Sequence, residues 1–139
     1  MSTEARSEWP YLRTAFLAVA AILTVAVAGW RVHDALHDEP TAFELLRRCM
    51  INEKHVALTG TSDPIARSAE LGAVRTAIET NGVTISVSSS PEGAARIVAA
   101  YGSVAGNLGT RLEQRGGTVY LWDGPPSPSQ RQTLYDCTY

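Results

Sequence analysis

Two residues of this chain have chemistry that can be named at once: Cys49 and Cys137, its only cysteines. An even number of thiols in a small domain behind an export-like segment reads as a disulfide. Closing so long a loop stabilises a fold by about 4–5 kcal/mol on the chain-entropy description. Two unrelated, buried free thiols are the plainer alternative. The pair is not a Cys-x-x-Cys arrangement, so redox catalysis is not indicated.

His33 and His37 stand four residues apart, and Asp34 and Asp38 repeat the pattern one position on, so on a helix each pair shares a face. That is sound geometry for two metal ligands. A third and fourth ligand at identifiable spacing are missing, with His55 the one remaining histidine, and a solvated face is the better reading. Histidines beside carboxylates also titrate near neutrality, which makes pH sensing a weaker form of the same idea. Thr59-Gly60-Thr61-Ser62-Asp63 leads into a helix N-terminus, where amides and the dipole hold anions. Asp63 puts its own carboxylate there, so a plain N-cap is expected. Gly102, Gly106 and Gly109 do not match a nucleotide-binding loop, because the order is wrong and no strand leads in. There is no Gly-x-Ser-x-Gly, and the histidines lie early in the chain. Catalysis is not expected, nor is a metal or another cofactor.

The element around which these residues must be arranged is apolar. Thr14 to Trp30 contains seventeen residues with no charge and two threonines. As a helix they span roughly 25 Å, just short of the ~30 Å hydrocarbon core of a bilayer. One reading is a secretory signal peptide cleaved after Ala28, with Arg6 and Arg13 before it and Ala26-Val27-Ala28 as the small-residue site. The preferred reading is a retained signal anchor over residues 11–30. Trp9 and Tyr11 at one end and Trp30 at the other suit the bilayer interfaces, and a cleaved segment does not need them. The arginines on either side, Arg6 and Arg13 against Arg31, Arg47 and Arg48, leave orientation undecided. The cysteine pair then places the C-terminal domain outside the cytoplasm and the N-terminus inside.

Binding by bulk charge is not indicated. Of the twelve Lys and Arg, Arg6 and Arg13 precede Trp30, and of the fourteen Asp and Glu, Glu4 and Glu8 do, so the tail is neutral and the remainder carries −2. No nucleic-acid footprint or polybasic run is present. The partners expected are the bilayer, through residues 14–30, and an unidentified protein.

Residues 1–10 read as a disordered tail, 31–40 as a juxtamembrane linker stopped by Pro40, and 41–139 as one small α+β domain. Thr41 and Glu44 form a capping box for a helix over about 42–51, with Phe43, Leu46 and Met50 on one face. His55 to Thr59 reads as a strand. Asp63-Pro64 opens a short helix, with Gly72 as its C-terminal cap. Val74–Thr80, Asn81-Gly82 and Val83–Val87 make a hairpin pattern with a type I′ turn at Asn-Gly. That register pairs Thr80 with Val83, Ile78 with Ile85 and Thr76 with Val87, giving one apolar and one wet face. Ser90-Pro91 starts a helix ending near Val104. Arg111–Arg115 and Thr118–Trp122 flank Gly116-Gly117 as a second hairpin. Ser127 and Gln130 cap a last helix carrying Leu134 and Cys137. The fold class predicted is α+β: one transmembrane helix, then a small antiparallel sheet of four to five strands with helices packed on one face.

Within that sheet Tyr120 and Trp122 alternate with Val119 and Leu121, so one pair faces the core. Tyr120 and Trp122 on an exposed face would anchor a protein partner; packing under a helix is their plainer role. The Ala/Val/Arg-rich anchor, the two cysteines and Val119-Tyr120-Leu121-Trp122-Asp123 resemble the small, uncharacterised single-pass membrane proteins of high-GC Gram-positive bacteria. That resemblance implies no activity. The expected function is a membrane-anchored extracytoplasmic interaction module, an accessory subunit of an envelope complex. The alternative is a secreted or anchored domain binding a small ligand or metal.

Overall fold

The computed structural model describes residues 39–138, which from Pro40 onward form one compact unit. The expected tail, the expected anchor at 11–30 and the expected linker residues up to Asp38, His33 and His37 included, lie outside the described residues. Among the described residues no helix is long and apolar enough to cross a membrane.

Helix α1 spans Ala42–Arg48 and begins as its sequence requires. Thr41 Oγ1 accepts from the Glu44 amide at 3.3 Å, and Glu44 Oε2 accepts from the Thr41 amide at 2.9 Å. Two orphan donors are satisfied reciprocally. The helix widens into a π turn over Cys49–Glu53. His55 then takes a left-handed φ of 53°, and the Val56 amide returns to the Met50 carbonyl at 2.9 Å. That closure uses up residues expected to be strand. Strand β1 is therefore only Thr59–Gly60, not His55–Thr59.

Asp63 caps the next turn as predicted, its Oδ1 accepting from the Ile65 and Ala66 amides at 2.9 and 3.3 Å. The turn is a 3-10 segment, Ala66–Ser68, and it ends at Ala69. Gly72 is not its cap but the first residue of strand β2, Gly72–Ile78. Strand β3 is Asn81–Val87. The hairpin is real, but its register differs from the expected one: Ile78 pairs with Asn81, Thr76 with Val83 and Val74 with Ile85. The turn is Glu79-Thr80, with Glu79 at φ 57°. Asn81 and Gly82 sit in the ladder because distant groups hold them there. Asn81 Nδ2 donates to the Gly124 carbonyl at 3.1 Å and to Gln130 Oε1 at 3.3 Å, and its Oδ1 accepts from the Gly124 amide. The Gly82 carbonyl accepts from the Asp123 amide at 2.8 Å. Gln130 Nε2 in turn donates to Glu79 Oε2 at 3.2 Å, bracing the strained turn. Relative to the expected pairing the register shifts by four residues, an even number, so every side chain keeps its expected face.

Helix α2, Pro91–Ala105, starts on Ser90, whose Oγ accepts from the Gly93 amide. Strands β4, Leu112–Arg115, and β5, Thr118–Trp122, form the second hairpin around Gly116 at φ 55°. Helix α3, Pro128–Tyr135, has the Ser127–Gln130 capping box. The five strands are all antiparallel, in the order β1-β2-β3-β5-β4.

The sheet is covered on both faces rather than one. On the first face Val74, Ile78, Val83, Ile85, Val87, Tyr120 and Trp122 pack beneath Leu46 and Met50 of α1 and the π turn, and Leu134 of α3. On the second face Val119 packs with Ala69 and with Ala94, Ile97 and Tyr101 of α2. The expected wet face thus carries Thr84 and Ser86 buried beneath a second layer. α2 was free to land there because its own stripe needed an apolar partner.

Candidate functional site

The two cysteines are joined, with Cα atoms 5.5 Å apart and a sequence separation of 88. Cys49 lies in the π turn and Cys137 just beyond α3, so the bond staples the first and last elements over the first face. Both are buried. The other two expected site residues, Tyr120 and Trp122, are 0 % exposed. The prediction of an aromatic anchor on an exposed face is therefore corrected. Tyr120 and Ile85 are paired across the ladder, as are Trp122 and Val83, and α1 and α3 close over all four. Burial, offset in part by the hydrogen bond with Thr138, pushes the Tyr120 phenol up to about 12. The Trp122 indole Nε1 is buried without a hydrogen-bond partner. Neither aromatic can meet a partner without unfolding the domain.

Asp63 does what a cap does and one thing more. Its Oδ2 accepts from Tyr101 Oη at 2.6 Å, tying the turn before β2 to the core side of α2. Burial first, and this bond second, raise the Tyr101 phenol above its ordinary range. An anion site there is filled by the protein's own carboxylate. His55 is exposed and is spent on the left-handed closure of the π turn. Among the described residues, no three His, Cys, Asp or Glu side chains gather to hold a metal.

What the second face leaves open is one corner of the sheet. α2 crosses β4 and β5, and the 3-10 turn covers the upper ends of β2 and β3. Below them Thr59, Arg75, Ala77, Gly82 and Asp123 form a shallow depression with Thr80 at its rim. Arg75 is held in place. Its Nη1 donates to Thr84 Oγ1 at 3.0 Å and its Nη2 to Asp123 Oδ2 at 2.5 Å. Thr84 is 3 % exposed, so the guanidinium rests on a fixed, buried hydroxyl. Gly82 makes this arrangement fit: a Cβ there would collide with the Asp123 carboxylate and with Arg75 Nη2. The result is a preorganised cation and carboxylate over a floor of small side chains, open to solvent.

No protein-family model matches the chain, and neither curated proteins nor solved structures include one significantly similar to it.

Other polar clusters act as ties. Glu113 accepts from Arg131 Nε at 2.5 Å and from Tyr135 Oη at 2.7 Å, while the Arg115 guanidinium lies 4.3 Å from the centre of the Tyr135 ring. Together they lock α3 to edge strand β4. Glu70 accepts from the Ser89 hydroxyl and amide and from Arg96 Nη2, which joins the bend before β2 to the first half of α2 and the residue preceding its cap, and holds the carboxyl below its usual range. Lys54 and Gln132 do the same for Asp136. Sequence reasoning missed Arg75 and Asp123 as a pair. The period-two alternation put Arg75 on the right face, but Asp123 reaches it only because β5 lies beside β3.

Proposed function

We propose that this chain is a single-pass membrane protein whose disulfide-closed extracytoplasmic domain works by binding a protein partner, as an accessory subunit of an envelope complex rather than as a catalyst. The uncharged run from Thr14 to Trp30 supports the anchor. The Cys49–Cys137 bond supports an oxidising compartment, where such bonds form and persist. The observation that carries the binding reading is the open corner of the second face. There Arg75 is preorganised by Thr84 and Asp123 above Ala77 and Gly82, so little side-chain freedom is lost when a partner seats on it.

Two measurements test this. The intact mass of protein from native membranes, taken with and without reductant, is expected at full length and rising by about two hydrogens on reduction. A chain starting at Gly29 would remove the membrane-complex reading. A photoreactive residue replacing Ala77 is expected to give one discrete crosslinked species in membranes, lost when Arg75 is changed to Glu while the disulfide stays intact. Crosslinking unaffected by Arg75→Glu would move the contact elsewhere.

A further inference from the structure

We infer that the outward face of α1 and the π turn is a membrane-contact surface, seated on the anionic phospholipid headgroups of the bilayer. The inference rests on the anchor reading of residues 14–30 and goes beyond it by assigning a second lipid contact. Among the described residues only two large hydrophobic side chains are conspicuously exposed, Ile51 at 46 % and Val104 at 77 %. Val104 stands at the far end of α2. Ile51 stands beside Arg47 and Arg48, both exposed, and these three line one shallow depression with Glu44 and Asn52. An apolar side chain flanked by two guanidinium groups is the composition that interfacial helices present to lipid. Cations in the last turn of a helix answer the helix dipole. That accounts for the arginines but not for the isoleucine between them.

Neighbouring groups leave this pair free to act. Lys54 is engaged by Asp136 at 2.7 Å, whereas Arg47 and Arg48 have no carboxylate partner among the described residues; Arg47 lies 5.8 Å over the Phe43 ring. Glu44, the acidic group on the same face, is folded back onto the Thr41 amide. Glu39 and Glu53 flank the patch, so attraction is local and salt-sensitive. Two arginines would not hold a free protein on a membrane. Tethering changes that. Trp30 and Ala42 are twelve residues apart, a reach of at most roughly 40 Å, and a short tether gives an effective concentration on the order of millimolar. At such a concentration a weak surface is occupied.

The test uses the full chain in lipid nanodiscs. Benzoylphenylalanine replaces Ile51 in one variant and Val104 in another, and photo-adducts with lipid are counted by mass. Phosphatidylglycerol discs are expected to give at least five times more lipid adduct at 51 than at 104. Phosphatidylcholine discs, or Arg47→Glu with Arg48→Glu, are expected to remove that excess while the disulfide stays formed. Equal yields at the two positions in phosphatidylglycerol would overturn the inference with the anchor reading intact. A chain that does not incorporate into discs at all would overturn both.

Discussion

The two faces of the sheet are built on different plans. The first is filled with large side chains, Trp122, Tyr120, Met50, Ile85 and Leu134 among them, and is closed by a covalent bond between its two helical covers. The second is packed with alanines around Ile97 and Tyr101, has threonine and serine in its floor, and is left open where Arg75 and Asp123 meet. A domain of about a hundred residues has one modest core from which to draw stability. Concentrating it on one side leaves the other more polar and partly open.

The sharpest way to break that contrast is to cut the staple. Replacing Cys49 and Cys137 together by Ala is expected to cost about 4–5 kcal/mol in chemical denaturation, a large share of the roughly 5–15 kcal/mol a small domain has. A loss under 1 kcal/mol would mean the first face holds without it. Next in size, Trp122→Ala is expected to cost about 3–5 kcal/mol against roughly 2 for Ile97→Ala, the matching truncation on the second face. Equal losses would erase the asymmetry.

Much of this architecture was legible because caps are local. The Thr41–Glu44 and Ser127–Gln130 boxes, Ser90-Pro91 and Asp63-Pro64 each need only three or four consecutive residues, and each sits where expected. The hairpin faces were legible too, since alternation survives an even slip. The turn was not. Asn81-Gly82 has the strongest local turn preference in the chain, yet Gly124 and Gln130 hold it in the ladder from 43 and 49 residues away. The burial of Tyr120 and Trp122 was equally hidden. Alternation separates them from Val119 and Leu121, but which side receives the stapled helices depends on long-range packing. The same is true of Arg75, whose partner arrives from β5.

Alkaline titration sharpens the comparison with a smaller effect. The Tyr120 phenol is held near 12 against an ordinary 10, so the unfolded chain ionises first. Stability is then full below pH 10 and falls as pH rises toward 12, by up to about 3 kcal/mol at 1.36 per unit. Tyr101 contributes in the same direction from the second face. Comparing Tyr120→Phe with Tyr101→Phe divides the alkaline slope between the faces, and a slope unchanged in both would contradict this account. The smallest effect belongs to the open corner. Arg75→Gln is expected to shift stability by less than about 1 kcal/mol, since both members of its ion pair are well exposed, while crosslinking at position 77 is lost. A large destabilisation would make Arg75 a structural tie.

The staple also decides how the domain answers to mechanical force. A load entering at Pro40 and leaving beyond Cys137 runs along residues 40–49, crosses the sulfur–sulfur bond and exits. Residues 50–136, and with them every strand of the sheet, lie in a loop off that line. A pull applied at Pro40 and at the residues after Cys137 would stretch α1 first and leave the sheet unloaded. Once the bond is reduced, the same pull would peel the sheet from its ends.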